Sequence, residues 1–108
     1  MSECLGDARC QPTEGLAALY RAWARGGVGL LVTGNVMIDR SALGEPGNVA
    51  LDADSDGAPF ARCAEAAREG GGHVWMQLNH PGKQSPSVMS RSPVAPSAVP
   101  LGGDVGRY

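Results

Sequence analysis

The sequence predicts an α/β fold in which helices alternate with parallel strands. Two segments carry apolar residues at helical spacing, and each precedes a short, strongly apolar stretch that ends in polar residues. The turns that enter these apolar stretches are short, whereas the connections that leave them are long and rich in Gly, Pro, Ser and Asp. This asymmetry is typical of a (β/α) barrel, in which the functional loops leave the carboxyl ends of the strands.

Both predicted helices have a recognisable start and stop. The first is predicted over residues 13–25, where Thr13 is the candidate cap, and its apolar stripe consists of Leu16, Leu19, Tyr20 and Trp23. The second is predicted over residues 57–69, where Asp56 is the candidate cap, and its stripe consists of Phe60, Cys63, Ala64 and Ala67. Glycines follow both segments, as at helix C-termini.

The first predicted strand covers residues 28–36. Its sequence, VGLLVTGNV, is almost continuously apolar without alternation, which favours a strand covered on both faces. Gly34, near its end, has two interpretations: it lets a ligand or backbone come close, or it is a packing glycine or part of a β-bulge. The segment 39–56 is predicted to be a long polar connection, and loops at such positions are often functional.

The stretch HVWMQLNHPGK, residues 73–83, joins a second strand to a cluster of polar groups. Because side chains alternate along a strand, Gln77 shares one face with Trp75 and Asn79, and the other face is apolar. An amide near the carboxyl end of a buried strand is where α/β folds bind ligands. Trp75, like Trp23, is expected to fill the core or the barrel rather than to stack on a ligand.

The polar residues of this stretch also have structural interpretations. Gln77 can be a strand amide satisfied by neighbouring backbone. His80 can hold its own turn through a hydrogen bond to the backbone, since a lone histidine without a second ligand is no metal site. Lys83 is interpreted as a solvated or loop-anchoring charge.

Composition excludes several classes of function. The formal net charge of -2 and the absence of a run of Lys and Arg indicate no nucleic-acid partner. The longest apolar run is far shorter than the roughly 20 residues that span a bilayer, so no membrane partner and a cytoplasmic location are expected. Three cysteines without CxxC spacing predict free thiols and no metal site.

Five motifs in order carry a resemblance to a known family. They are MSE at the start, PTEGLAALYRAWARGGVGLLVTGNV, GEPGNV, QLNHPGKQ and APSAVP. In this order, and over almost the whole chain, they resemble the N-terminal third of the Old Yellow Enzyme family, the FMN-dependent NADH:flavin oxidoreductases. The resemblance implies that residues 1–108 are the incomplete N-terminal part of an FMN-binding TIM barrel, roughly its first three β/α units, and that residues 84–108 form a Pro/Ser/Gly-rich loop after the third strand.

The resemblance also implies a chemistry and a cofactor site. The family passes hydride from NAD(P)H through FMN to a small activated alkene. Gln77 is similar to the glutamine that hydrogen-bonds the flavin pyrimidine ring, and Gly34 matches the small residue that lets the ring approach. Met1 and Ser2 match the end of the first strand, which packs against the flavin. The proton donor, the substrate-anion pair and the phosphate-binding loops fall in segments beyond Tyr108, so no catalytic residue is assigned within the chain.

Alternatives to this interpretation stay open at the level of sequence. The family motif usually ends in Arg where this chain has Lys83, which keeps the charge but loses the planar fork. A non-catalytic, truncated remnant of such a barrel is the second hypothesis, and a barrel for another phosphorylated ligand is a third that rests on fold analogy alone. A homo-oligomer is compatible with the sequence.

Overall fold

The computed structural model describes residues 1–102, and in them the chain forms two helices and three strands. In chain order these are α1 Glu14–Arg25, β1 Leu30–Met37, β2 Val49–Ala50, α2 Gly57–Arg68 and β3 His73–Asn79. A 3₁₀ turn follows at Gly82–Gln84. The end of the predicted loop 84–108, residues 103–108, lies outside the described residues. In the described part, neither helix has the length and apolar character needed to cross a membrane.

Helix α1 begins as its sequence indicates, but its buried stripe is rotated from the predicted one. Thr13 Oγ1 accepts a hydrogen bond of 3.3 Å from the Leu16 N–H, which confirms the cap. Trp23, predicted to fill the core or the barrel, does not lie in the core of the described residues, since its side chain is 44% exposed. Ala17 and Ala24 join Leu16 and Tyr20 on the inward side, so the stripe turns away from Leu19 and Trp23. The buried residues of α1 are Leu16, Ala17, Tyr20 and Ala24.

Helix α2 is capped by Asp56, whose Oδ1 accepts a hydrogen bond of 2.9 Å from the Ala58 N–H. Its buried residues are Cys63, Ala66 and Ala67, whereas the predicted Ala64 is exposed. Among the described residues, three ion pairs join α1 to α2 or to its C-cap residue, and all involve partly or largely exposed side chains. They are Arg21–Glu69 at 2.6 Å, Arg25–Glu69 at 3.0 Å and Arg62–Glu14 at 3.1 Å.

The three strands form a parallel sheet in the order β2-β1-β3. The pairing of β1 with β3 runs from Leu30 beside His73 to Met37 beside Asn79. The segment 39–56, predicted to be connection throughout, contains the two-residue strand β2, which pairs with the end of β1. Such a short strand has no periodicity of its own, and only its pairing partner reveals it. The α/β class and the parallel pairing are confirmed.

A β-bulge interrupts the pairing of β1 with β3. Val32 lies beside Trp75 and Asn35 beside Gln77, so two residues of β1, Thr33 and Gly34, face the single residue between Trp75 and Gln77. The structural interpretation of Gly34 as a bulge residue is therefore observed. The bulge also decides which side chain of β1 stands opposite Gln77.

The core lies between the two helices and one face of the sheet, and β3 is poorly covered. The cluster of buried residues includes Leu31 and Val36 of β1, with Val74 of β3 packed against it. Farther along β3, three large side chains are exposed, at 65% for Trp75, 42% for Met76 and 61% for Leu78. Trp75 is therefore no part of the core of the described residues, and the alternative that it fills the interior of a barrel stays a prediction. Both faces of β3 thus expose apolar surface.

We expect Gly70→Ala to lower the free energy of unfolding by about 1–3 kcal/mol, the usual cost of overpacking. A Cβ at Gly70 would overlap the Ala24 carbonyl oxygen and lie 2.6 Å from its carbonyl carbon, and backbone atoms cannot move aside as a flexible side chain can. Urea unfolding followed by circular dichroism measures the change. Gly57→Ala is the control, since a Cβ there has no neighbour within 4 Å and the change should stay within about 0.5 kcal/mol. Equal stabilities of both variants would contradict this packing.

Candidate cofactor site

The face of the sheet that the helices leave uncovered becomes polar toward the carboxyl ends of the strands. Val74 packs into the helical core, so the alternate residues of β3 lie on the other face. Their partners on β1 follow from the register: Val32 with Trp75, Asn35 with Gln77, and Met37 with Asn79. The Asn79 Nδ2 lies 3.6 Å from the Met37 Sδ. A group of amide side chains therefore marks this end of the sheet.

The Thr33 hydroxyl takes over the hydrogen bonding that the bulge disrupts. Its Oγ1 accepts a hydrogen bond of 3.0 Å from the Gln77 N–H and donates one of 2.8 Å to the Gly34 carbonyl oxygen. Thr33 is 7% exposed, so these backbone groups would otherwise have to find partners away from water. The Thr33 hydroxyl thus links the backbone of Gln77 in β3 to β1 where the bulge interrupts the regular pairing.

Gly34 contacts the N-terminal segment of the chain. Its N–H donates a hydrogen bond of 3.0 Å to Glu3 Oε1, and a Cβ at this position would overlap the Glu3 carboxylate and lie 3.1 Å from the Glu3 backbone nitrogen. The space left by the missing side chain is therefore occupied by Glu3 in this structure. The expectation that Gly34 admits a flavin ring stays a prediction.

Asn35 connects two of the predicted site residues. Its Oδ1 accepts a hydrogen bond from the Gln77 Nε2, and its backbone N–H donates one of 2.9 Å to the Met1 carbonyl oxygen. Both amide side chains are half-buried. The predicted residues Gln77 and Met1 therefore lie on either side of a residue that sequence reasoning did not select.

The fourth predicted residue, Ser2, is held by a buried asparagine of the loop before β2. Asn48 is 2% exposed, and its Nδ2 donates a hydrogen bond of 3.1 Å to Ser2 Oγ. Its Oδ1 accepts hydrogen bonds of 3.0 Å and 2.8 Å from the N–H groups of Gly44 and Glu45. One side chain thus fixes the GEPGN loop and attaches the N-terminal segment to it.

The Cys4 thiol belongs to the same cluster of side chains. It donates a hydrogen bond of 2.9 Å to Glu45 Oε2 and lies 3.1 Å from Ser2 Oγ. The bond to the Glu45 carboxylate raises the pKa of Cys4, while the contact with Ser2 acts in the opposite direction. Exposure alone would suggest a reactive thiol, but this environment favours its neutral form.

A cavity of about 230 Å³ lies among residues of β1, β3 and both helices. Its lining is mostly apolar and includes Tyr20, Phe60, Val74 and Met76. Burial, followed by the negative charge of Glu3, raises the pKa of Tyr20 well above its ordinary value. This phenol therefore stays protonated, and the wall of the cavity is mainly apolar, with the Glu3 side chain also in its lining.

His80 and Lys83 agree with their structural interpretations, a histidine that holds its own turn and a solvated charge. His80 is exposed, and its Nδ1 accepts a hydrogen bond of 3.0 Å from the Gly82 N–H within its own turn. Lys83 is exposed in the 3₁₀ turn. Within residues 1–102, no group of three or more His, Cys, Asp and Glu side chains could hold a metal ion.

The amide group fits one edge of a flavin. A primary amide carries two N–H donors and an oxygen acceptor, which suits a pyrimidine edge that presents an N–H beside a carbonyl. With one N–H bonded to Asn35, Gln77 keeps its second N–H and its oxygen for such an edge. The residues present are therefore chemically suited to the cofactor that the resemblance implies.

Comparison of sequences finds similar proteins among curated oxidoreductases. The chain is 41% identical over 99 residues to an NADH-dependent flavin oxidoreductase of Aspergillus parasiticus, which covers 87% of this chain and 22% of the relative. It is 35% identical over 111 residues to another from Hypocrea jecorina, covering 94% and 27%. It therefore spans about a quarter of the length of these relatives. No protein-family model matches the chain.

Comparison of structures leads to the same class. The chain superposes on the old yellow enzyme homologue from Zymomonas mobilis with a TM-score of 0.81 and 29% identity, over 95% of this chain and 29% of that one. Morphinone reductase in complex with tetrahydroNAD matches with a TM-score of 0.78 at 24% identity, over 93% and 28%, which shows likeness of fold.

These matches define a class, the flavin-dependent oxidoreductases that include NADH-dependent enzymes. Within it, the predicted resemblance of this chain to the Old Yellow Enzyme family is confirmed over most of its length. The structure brings the four predicted site residues to one end of the sheet through contacts of residues that were not predicted. These are Glu3, Thr33, Asn35 and Asn48. All four lie inside the quoted motifs MSE, PTEGLAALYRAWARGGVGLLVTGNV and GEPGNV, so motif membership was the available signal.

Thr33→Val should lower the free energy of unfolding by about 1–3 kcal/mol, because it removes the hydroxyl and leaves the Gln77 N–H and the Gly34 carbonyl without their partner. Thr33→Ser keeps the hydroxyl and is the matched control. Urea unfolding gives the free energies, and hydrogen exchange at the Gln77 amide reports the bond itself. An equal loss in both variants, with unchanged exchange at Gln77, would contradict the role of the hydroxyl.

The pH dependence of alkylation should distinguish Cys4 from an ordinary thiol. Because its pKa is raised, the thiolate forms at higher pH, and iodoacetamide should modify Cys4 with a midpoint above the ordinary value of about 8.5. Glu45→Gln removes the carboxylate acceptor and should move the midpoint toward lower pH. Peptide mass spectrometry measures each cysteine separately, and Cys10, which has no hydrogen bond to Glu45, is the internal control. A Cys4 midpoint that Glu45→Gln leaves unchanged would refute this assignment.

Proposed function

We propose that this chain supplies the part of an FMN site that binds the pyrimidine ring, in an oxidoreductase of the ene-reductase type. When bound, the flavin supplies hydride transfer from NAD(P)H to a small activated alkene. The observation that carries the proposal is the Asn35–Gln77 amide pair at the carboxyl ends of two parallel strands. The similarity to NADH-dependent flavin oxidoreductases supports it.

The four predicted residues have separate roles in this proposal. Gln77 accepts from the ring N–H and donates to the neighbouring carbonyl with the amide groups that Asn35 leaves free. Gly34 keeps the backbone of the bulge close to the ring. Met1 and Ser2 lie beside the ring and are held in place by Asn35 and by the buried amide of the GEPGN loop.

The domain proposal is that residues 1–108 form the first units of a TIM barrel, with residues 84–108 as a loop after its third strand. Two observations support it. The chain covers 29% of a barrel-sized relative at a TM-score of 0.81. In addition, β3 exposes apolar side chains on both faces, and in a barrel the outer helices cover one face and the closed interior covers the other.

A chimaera tests the cofactor site. This chain is joined to the remaining part of the Aspergillus parasiticus relative, and FMN affinity is measured by fluorescence quenching. We expect Gln77→Ala to weaken binding about 2- to 10-fold for each hydrogen bond lost, and Gly34→Val to block the ring by its added volume. His80→Ala is the control, because the side-chain hydrogen bond of His80 among the described residues lies within its own turn. Unchanged affinity in both site variants would refute the assignment.

The 108 residues alone should neither bind FMN tightly nor reduce an alkene. In the resemblance, the phosphate of the cofactor is bound by loops late in the barrel, so the most strongly held end of the ligand would be free. Equilibrium dialysis against FMN and an NADPH-oxidation assay with cyclohexenone measure the two properties. In the chimaera experiment described above, by contrast, failure to bind FMN would support the second hypothesis, a non-catalytic remnant of such a barrel.

A further inference from the structure

Asn35 stands opposite Gln77 only because of the bulge. If β1 and β3 paired regularly with no bulge, the register that pairs Val32 with Trp75 would place Gly34 beside Gln77. The bulge shifts the pairing by one residue, so the amide side chain of Asn35 stands beside Gln77, where Gly34 would have offered no side chain. The two side chains then share the uncovered face of the sheet.

The hydrogen bond between these amides has a definite direction in the structure. Gln77 Nε2 donates to Asn35 Oδ1, and Asn35 is the side-chain partner that Gln77 has among the described residues. A free glutamine amide can rotate by half a turn and exchange its donor for its acceptor. The bond to Asn35 Oδ1 fixes the nitrogen toward β1 and leaves the Gln77 oxygen directed elsewhere.

The backbone of Asn35 is itself fixed on both sides. Its N–H donates to the Met1 carbonyl oxygen at 2.9 Å, and the preceding Gly34 N–H donates to Glu3 Oε1 at 3.0 Å. The Thr33 hydroxyl bonds the backbone of Gln77 at 3.0 Å. The two amides therefore project from backbone segments whose separation is held by hydrogen bonds at every residue of the bulge.

We infer that Asn35 is a positioning residue of the flavin site, which sets the orientation of the Gln77 amide and restricts its rotamers before the cofactor binds. The inference rests on the proposed function, because it concerns the same pyrimidine edge. Its physical basis is preorganisation: a side chain already held in its bound orientation loses less entropy on binding. Nothing in the role requires Asn35 to touch the cofactor.

Two substitutions separate orientation from packing. Asn35→Leu keeps the approximate volume but removes the acceptor, so the Gln77 amide becomes free to rotate. Asn35→Asp keeps an oxygen acceptor and cannot donate, so it enforces the observed direction of the bond. If Asn35 orients Gln77, the fixed amide orientation and the FMN affinity should be lost in Asn35→Leu and kept in Asn35→Asp. If Asn35 has a purely structural role, both properties should instead follow the free energy of unfolding of each variant.

The first experiment uses the 108-residue chain and no cofactor. In nitrogen–proton NMR spectra, the two Gln77 side-chain amide protons should be well separated in the wild type and in Asn35→Asp, and should collapse toward free-glutamine values in Asn35→Leu. Gln84, which is exposed, provides the reference signal. If Asn35→Leu leaves the Gln77 signal unchanged, Asn35 does not hold the Gln77 amide, and the inference is overturned.

The second experiment uses the chimaera described above. We expect Asn35→Leu to weaken FMN binding about 2- to 10-fold, and Asn35→Asp to restore affinity while its negative charge makes the flavin reduction potential more negative. Equal affinity and potential in all three proteins would overturn the inference and leave the proposed function standing. A wild-type chimaera that binds no FMN would overturn both.

Discussion

The bulge at Thr33 and Gly34 is the constraint on which the carboxyl end of this sheet depends. An extra residue in one strand leaves backbone groups without ladder partners, and buried groups of this kind cost about 1–3 kcal/mol each when unsatisfied. Here they are satisfied locally, by the Thr33 hydroxyl toward β3 and by the Glu3 carboxylate toward the N-terminal segment. The irregularity is therefore stable, and its lasting effect is the changed register that places Asn35 opposite Gln77.

The N-terminal segment is part of this arrangement although it forms no strand with β1. The Met1 carbonyl accepts from Asn35, Glu3 accepts from Gly34, and Ser2 accepts from Asn48 of the loop before β2. Three consecutive residues thus bond to β1 and to that loop. A Cβ at Gly34 would displace the Glu3 carboxylate and lie 3.1 Å from the Glu3 backbone nitrogen, so the glycine favours the close approach of the N-terminal segment whether or not a ligand also approaches it.

The features that were predictable from sequence are those with local causes. Caps at Thr13 and Asp56 act within one turn, and the predicted bounds of both helices agree with the observed ones to within one residue. Trp23 and Trp75, predicted to fill the core or the barrel, lie outside the core of the described residues, because burial depends on what covers a side chain and not on its hydrophobicity. Strand β2 and the bulge exist only through pairing with a neighbour, and neither has a pattern that a single strand could show.

The exposure of β3 supports the barrel proposal on physical grounds. An edge strand normally limits unwanted pairing through charged residues, proline or a bulge. The described β3 has none of these after His73, and its sequence VWMQLN exposes Trp75 on one face and Met76 and Leu78 on the other. A single helix could cover only one of these faces. Both faces and the free edge are covered together when a parallel strand follows beside β3 with its helix on one side and a closed barrel interior on the other. The amide pair would then face that interior, at the end of the strands where ligands of such barrels bind.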